Sequence, residues 1–281
     1  MDIYNNVCAA VKADLIYRLQ QMDAGEVDPR WIQPWNLEPH PYPMNWKTRR
    51  YYSGINLLLL DGCGSEFLTM QQIKALQGRK KYQHIRLRDG CQSCTAIYYG
   101  TSGARPIIRR YQLYSLDDIE GLELKRKGKT HEHIPTHVQS ELEVVLHTYF
   151  QRESIAVRHT KSAGCHYTPQ EHRIDIPEPR YFRRYSEYLS CLAHEAVHST
   201  SESMGRKMEM DRDTDEYAGE ELIAECGAGL LLALYGVAEE ETRHNNAAYL
   251  HGWLKQYDTP MERLDNAMSQ AGIAVDNIVN P

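Results

Sequence analysis

The sequence predicts a two-domain α+β protein, with a mixed α/β first domain and a mostly helical second domain built on a small sheet. Three observations predict it. The chain has 281 residues, more than one hydrophobic core usually organises. Its charge changes sign near residue 130: residues 1–130 carry 19 Lys and Arg against 13 Asp and Glu, and residues 131–281 carry 13 against 25. Its hydrophobic pattern passes from short strand-like runs in the first half to helical spacing in most of the second. We therefore expect domains at 1–130 and 131–281. Between them ELKRKGKTHEHIPTH is charged, lacks periodicity and contains Gly128 and Pro135, as a linker would.

The opening segment places Ile3, Val7, Val11, Leu15 and Leu19 four residues apart, which predicts an amphipathic helix. Asp2 stands where a secretory leader would carry basic residues. WIQPWNLEPHPYPMNW follows, and its four prolines exclude regular helix or central strand. Its three tryptophans favour an ordered loop. YYSGINLLLL reads as strand or helix, and Leu68 to Leu76 as a short helix opened by Thr69. Strand signals occupy Tyr82 to Arg88, Thr95 to Tyr99 and Ile107 to Leu113, punctuated by Gly90, Gly100 and Gly103.

In the second half a helix is expected from about Thr136 to Phe150. Extended segments follow at Ile155 to His159 and Cys165 to Ile176. After Pro179 the pattern is helical to the end, with long helices at about Arg180 to Thr200, Asp215 to Tyr235 and Thr242 to Tyr257. The longest apolar run, Ile223 to Val237, is broken by Glu225, three glycines and Tyr235, which excludes a membrane span. Seven scattered cysteines argue against a disulfide framework and for a reducing, cytoplasmic setting.

The sharpest chemical signal is HEAVH at 194–198. His194 and His198, four apart on a helix, project from one face and can grip one metal ion, while Glu195 lies within reach of a water beside it. A hydrolytic zinc needs a third protein ligand and an open position. YAGEELIAECGAGLL supplies Glu220, Glu221 and Glu225, of which Glu221 and Glu225 share a helix face. We assign Glu221 as ligand and Glu225 as a hydrogen-bond partner of a ligating imidazole; the reverse assignment and a solvated helix face stay open. Zn²⁺ is the expected ion, and Mn²⁺ suits the same nitrogen and oxygen donors.

Other clusters carry less. Cys91 and Cys94 have the gap of a zinc knuckle but no second pair, so a turn between strands is expected. His131, His133 and His137 are interrupted by Pro135. In the basic half, Trp31, Trp35, Trp46, Tyr51 and Tyr52 alternate with Lys47, Arg49 and Arg50, and Arg79, Lys80 and Lys81 form a second cationic group. Flat rings with neighbouring cations suit single-stranded nucleic acid, by stacking on bases and charge along phosphates. A small aromatic core is the competing explanation for the same indoles.

Several separated motifs resemble one family in the same order. W-x-x-P-W at Trp31 to Trp35, P-x-N-x-x-T at Pro43 to Thr48, Y-x-G-I-N at Tyr52 to Asn56 and L-T-x-x-Q at Leu68 to Gln72 look like the N-terminal domain of ArdC-type antirestriction proteins. HEAVHST, YAGEELIAE and NNAAYLHGWLK look like the zincin-type metallopeptidase domain that follows it there. The resemblance implies a plasmid-borne protein that binds single-stranded DNA and shields incoming DNA from host restriction during conjugation. It places the metal on His194, His198 and Glu221, makes Glu195 the catalytic carboxylate and adds Asn56 to the DNA-binding residues. The expected chemistry is zinc-assisted peptide hydrolysis by a monomer, on a peptide pairing near Cys165 to Ile176. The alternative is a DNA-coating protein with a structural or vestigial metal site.

Overall fold

The computed structural model describes residues 2–35, 42–52, 55–60, 62–102, 105–123, 140–161, 164–207, 211 and 214–280. The linker histidines His131, His133 and His137 and the expected start of a helix at Thr136 lie outside them. Compactness divides the chain differently from charge. Residues 40–140 form one unit, and residues 1–39 join 141–281 in the other.

In the 40–140 unit, strands β1 (Met44–Asn45), β2 (Glu66–Thr69), β4 (Cys94–Ser102) and β5 (Arg105–Ser115) form a sheet in the order β1-β2-β5-β4. β4 and β5 pair antiparallel from Cys94↔Leu113 to Ser102↔Arg105. A second pair joins β3 (Arg86–Leu87) to β6 (Ile119–Glu120). YYSGINLLLL resolves into helix α2 (Ile55–Leu59), and most of Tyr82 to Arg88 is a turn rather than a strand. Helix α3 (Met70–Gln77) starts where it does because Thr69 accepts from the Gln72 amide while the Gln72 side chain accepts from the Thr69 amide. Trp46, Leu68, Ile73, Leu76, Ile85, Leu116 and Ile119 pack into one core cluster, and Tyr52, Leu60, Phe67, Ala96 and Leu113 into another.

The other unit holds a three-stranded sheet, β7 (Ala156–Thr160), β8 (His166–Thr168) and β9 (Arg173–Pro177), in the order β7-β9-β8. Cys165 to Ile176 is thus two strands, split by a 3-10 turn at Pro169–Glu171 and by His172 in a left-handed conformation (φ 48°). Around the sheet are α1 (Asp2–Asp23), α4 (Glu141–Arg152), α5 (Tyr185–Ser199), α6 (Asp215–Leu234), α7 (Glu240–Leu254) and α8 (Pro260–Val279). α1 carries part of the expected stripe: Leu15 and Leu19 are buried and Val7 and Val11 half-buried, with Met22 buried one turn on. It packs against α6 and α7, and Arg18 grips the Glu240 carboxylate with both terminal nitrogens at 2.8 and 2.9 Å. α6 lies against α1, α5, α7 and α8. Among the described residues no helix is long and apolar enough to cross a membrane.

The approach of α5 to α6 positions the site below, and a glycine permits it. A Cβ on Gly227 would stand 2.6 Å from Val197 Cγ2, where no relaxed carbon sits. Gly227→Ala gains about 1 kcal/mol of helix propensity, but overpacking costs about 1–3 kcal/mol. We expect a net loss of stability in urea unfolding; a variant as stable as the parent would show that the two helices have room to spare.

Candidate metal centre

α5 is a helix because Tyr185 to Ser199 is free of proline and glycine and buries an almost continuous surface, with Tyr188, Leu189, Leu192, Ala193, Ala196 and Val197 at 0–1% exposure. His194 and His198 leave that core on one face, their Nε2 atoms 3.0 Å apart. Glu221 arrives from α6, with Oε2 3.5 Å from His194 Nε2 and Oε1 3.7 Å from His198 Nε2. Donors about 2.0–2.2 Å from one ion at tetrahedral angles stand roughly 3.3–3.6 Å from each other, so the three groups fit a single divalent cation with little adjustment.

The surrounding carboxylates make the same point chemically. His194 Nδ1 faces Glu225 Oε2 at 2.9 Å, and His198 Nδ1 faces Glu220 Oε1 at 3.2 Å. Each carboxylate calls for the proton on Nδ1, which leaves both Nε2 lone pairs pointing at each other and at Glu221. Such an arrangement needs a positive charge at its centre. Burial disfavours the His194 imidazolium, but hydrogen bonds and charge from Glu221 and Glu225 outweigh it and hold its pKa well above the usual histidine value. Burial opposes ionisation of Glu221 too, yet His194 and His198 keep its carboxyl far below the ordinary range.

Three supporting groups escaped the sequence analysis in these roles. Glu220, noted there only as one of three glutamates, orients His198 and is clamped by Arg206 through Nε at 2.9 Å and Nη2 at 3.1 Å. The same guanidinium donates to Val197 O and Thr200 Oγ1 at the end of α5. Tyr249 on α7 donates to Glu221 Oε2 at 2.7 Å. The available signal for Tyr249 was its place in the AYLHG segment beside the other matching motifs.

Glu195 is 5% exposed and borders the same cavity as the three donors. Burial raises its pKa, the charges of His194 and His198 oppose that rise, and the Tyr167 amide donates to it. The cavity has a volume of about 510 Å³. Edge strand β8 forms one wall through His166, Tyr167 and Thr168, and Trp31, Trp35 and Tyr249 contribute aromatic surface.

The expected nucleic-acid residues separate into three groups. Trp31 and Trp35 belong with the helical unit as cavity walls, Trp31 packing on Tyr249 at 5.6 Å and Trp35 edge-on to Phe182 at 5.8 Å. Trp46, Tyr52 and Asn56 are buried, with polar groups bonded inside the 40–140 unit. Trp46 is 3% exposed with its indole N–H donating to Glu123 O; Tyr52 accepts from Asn45 and packs on Phe67; Asn56 exchanges hydrogen bonds with the Ile97 backbone. Lys47, Arg49, Arg50, Arg79, Lys80 and Lys81 are exposed, with Arg49 paired to buried Glu66 and Lys81 over the Tyr82 ring; Tyr51 is half-buried against Tyr42. Cys91 lies beside a turn before β4, as expected. Tyr98 on β4, 56% exposed, lies directly opposite exposed Arg109 on β5, a juxtaposition that the sequence alone does not display.

Comparison with known proteins divides the chain once, after residue 136, and leaves residues 3–39 with the first part. Residues 3–136 match the N-terminal domain of the anti-restriction factor ArdC, and residues 145–270 match a zincin-like metallopeptidase domain. No curated protein matches the chain. Crystal structures of the antirestriction ArdC protein from the R388 plasmid, one Mn(II)-bound and one metal-free, are each 23% identical, cover 100% of this chain and 99% of their own, and superpose with a TM-score of 0.39. One domain match ends at residue 136 and the other begins at 145, so the chain joins an ArdC-type N-terminal domain to a zincin-like metallopeptidase domain, a two-domain ArdC-like architecture.

Proposed function

We propose that this protein binds single-stranded DNA through its basic N-terminal region and hydrolyses peptides at a metal centre formed by His194, His198 and Glu221, and that it thereby protects incoming plasmid DNA from restriction. The observation that carries the hydrolytic half is the convergence of three donors with Glu195 beside them, each imidazole held by its own carboxylate. His194, His198 and Glu221 would hold a divalent cation, Zn²⁺ or Mn²⁺, which would supply Lewis acidity for a scissile carbonyl and an attacking water. Glu195 takes a proton from that water and delivers it to the departing amine, so that water adds across the peptide bond. Glu225 and Glu220 keep both Nε2 atoms free of protons, and Tyr249 fixes the Glu221 carboxylate. The exposed edge of β8 offers backbone groups with which an extended peptide can pair. We place the protein in the cytoplasm as a monomer; seven free thiols suit a reducing compartment.

For DNA binding, the exposed cations at Lys47, Arg50, Arg79, Lys80 and Lys81 and the Tyr98–Arg109 pair supply charge and one stacking face. Affinity for single strands should fall linearly on a logarithmic salt scale. Tyr98→Ala should weaken it by an amount equivalent to about 1–3 kcal/mol, the range for one stacked base. Salt-independent or duplex-preferring binding in a gel-shift titration would count against this half. The two activities are weighed together by transfer of plasmid DNA into a restricting host. Protection lost in Glu195→Ala supports a hydrolytic role, whereas protection equal to that of the parent means that coating the strand suffices.

A further inference from the structure

Among the described residues, Trp31 is the one tryptophan or tyrosine of the cavity wall that stays exposed. It is 41% exposed, whereas Tyr167 is buried and Trp35, Tyr217 and Tyr249 are half-buried. The ring is nonetheless fixed. Beside it the Ile32 amide donates to Asn245 Oδ1 at 2.8 Å, and Asn245 Nδ2 donates back to Ile32 O at 2.9 Å, which ties this segment to α7. The indole packs on Tyr249 with ring centroids 5.6 Å apart and on Trp35 at 6.2 Å. Tyr249 in turn donates to Glu221 and lies 6.0 Å from the His194 ring, so Trp31 stands one aromatic ring away from the metal donors. A large apolar face held in place and left open beside a cavity gains free energy when a ligand covers it, and little conformational freedom is lost in doing so.

The rest of the wall chooses among ligands by charge. Among the described residues four glutamates border the cavity and no lysine or arginine does. That disfavours a nucleic-acid strand, whose phosphates would meet carboxylates with no compensating basic side chain. A basic ligand gains little either, because each carboxylate already has a partner: Arg183 on Glu187, the Tyr167 amide on Glu195, Tyr249 on Glu221 and His194 on Glu225. An uncharged ring needs neither an anion nor a cation. We propose that Trp31 and Tyr249 form a subsite for an aromatic side chain, phenylalanine, tyrosine or tryptophan, of a residue flanking the scissile bond. The proposal rests on the peptidase reading given above and names its substrate class. The planes of the two rings are inclined by 55°, so a third ring can lie against the face of one and meet the other edge-on, the arrangements that aromatic pairs prefer. An aliphatic side chain of the same size gains the burial but not this pairing.

The test uses the full-length protein and calorimetric titration with Nα-acetyl-phenylalanine amide and its cyclohexylalanine counterpart, on metal-free and Zn²⁺-loaded samples. The phenylalanine amide is expected to bind about fivefold more tightly in both, the scale of one aromatic pair. Trp31→Leu, which keeps an apolar side chain, should erase that preference, and Trp31→Phe, which keeps a ring, should retain most of it. Because Trp31 is exposed, neither exchange opens a core. Equal binding of the two amides, or a preference unchanged in Trp31→Leu, overturns the subsite. Oligothymidylate should bind Trp31→Leu as it binds the parent; a loss there would make the ring a platform for bases and overturn the subsite as well. Digestion of a mixed peptide library separates the two levels. Cleavage with no aromatic residue enriched beside the cut removes only the subsite, whereas the amide preference without any cleavage keeps the aromatic pocket and removes the peptidase reading.

Discussion

His198→Ala is expected to abolish stabilisation by divalent metal. In the parent protein, a site that binds the folded chain and not the unfolded one stabilises by about 4 kcal/mol when free metal reaches a thousand times its dissociation constant. For a unit of this size that corresponds to roughly 10 °C or more in melting temperature. Two imidazoles and a carboxylate hold the ion, and deleting one imidazole from a set whose Nε2 atoms lie 3.0 Å apart removes a ligand that nothing nearby replaces. Glu220 lies on the Nδ1 side of His198 and is already held by Arg206. His166 also borders the cavity but lies outside the donor set, so His166→Ala should keep the full metal-dependent shift. The measurement is thermal unfolding with chelator and with added Zn²⁺ or Mn²⁺. A shift retained in His198→Ala would show that the metal stabilises the chain elsewhere.

That site was largely legible in the sequence because its geometry is local. Four residues along a helix bring His194 and His198 to one face whatever the rest of the fold does, and the same spacing pairs Glu221 with Glu225. The same reasoning found the stripe on α1 but could not say which core receives it, since an amphipathic face carries no address. The match to the ArdC N-terminal domain follows chain order from residue 3, whereas contacts group residues 1–39 with the helical unit. Roles set by long-range approach were the least visible. Trp46 looked like a stacking platform because tryptophan beside lysine and arginine has that composition, yet its N–H is satisfied by a carbonyl 77 residues away and its ring is core. Tyr98 and Arg109 become a pair only through the β4–β5 register. Tyr249 and Arg206 reach Glu221 and Glu220 only once α7 and the segment after α5 have folded back.

Glu195→Gln should reduce peptide hydrolysis by about 10²–10⁴, the usual contribution of a positioned general base, while leaving the metal-dependent melting shift intact. The exchange preserves size in a position 5% exposed, and the amide oxygen can still accept from the Tyr167 backbone, so packing gives no reason for a general loss of structure. What disappears is a group able to take a proton. Burial lifts the Glu195 pKa and the imidazoles restrain it, which keeps a basic carboxylate next to the cavity rather than a solvated spectator. Glu221→Gln provides the contrast, since it removes an anionic ligand and should lower metal affinity and hydrolysis together. Digestion of a mixed peptide library, read by mass spectrometry alongside melting curves, separates the two cases. Hydrolysis unchanged in Glu195→Gln would mean that the proton leaves by another route, and the HEAVH signature on α5 would then describe a metal clamp rather than a catalyst.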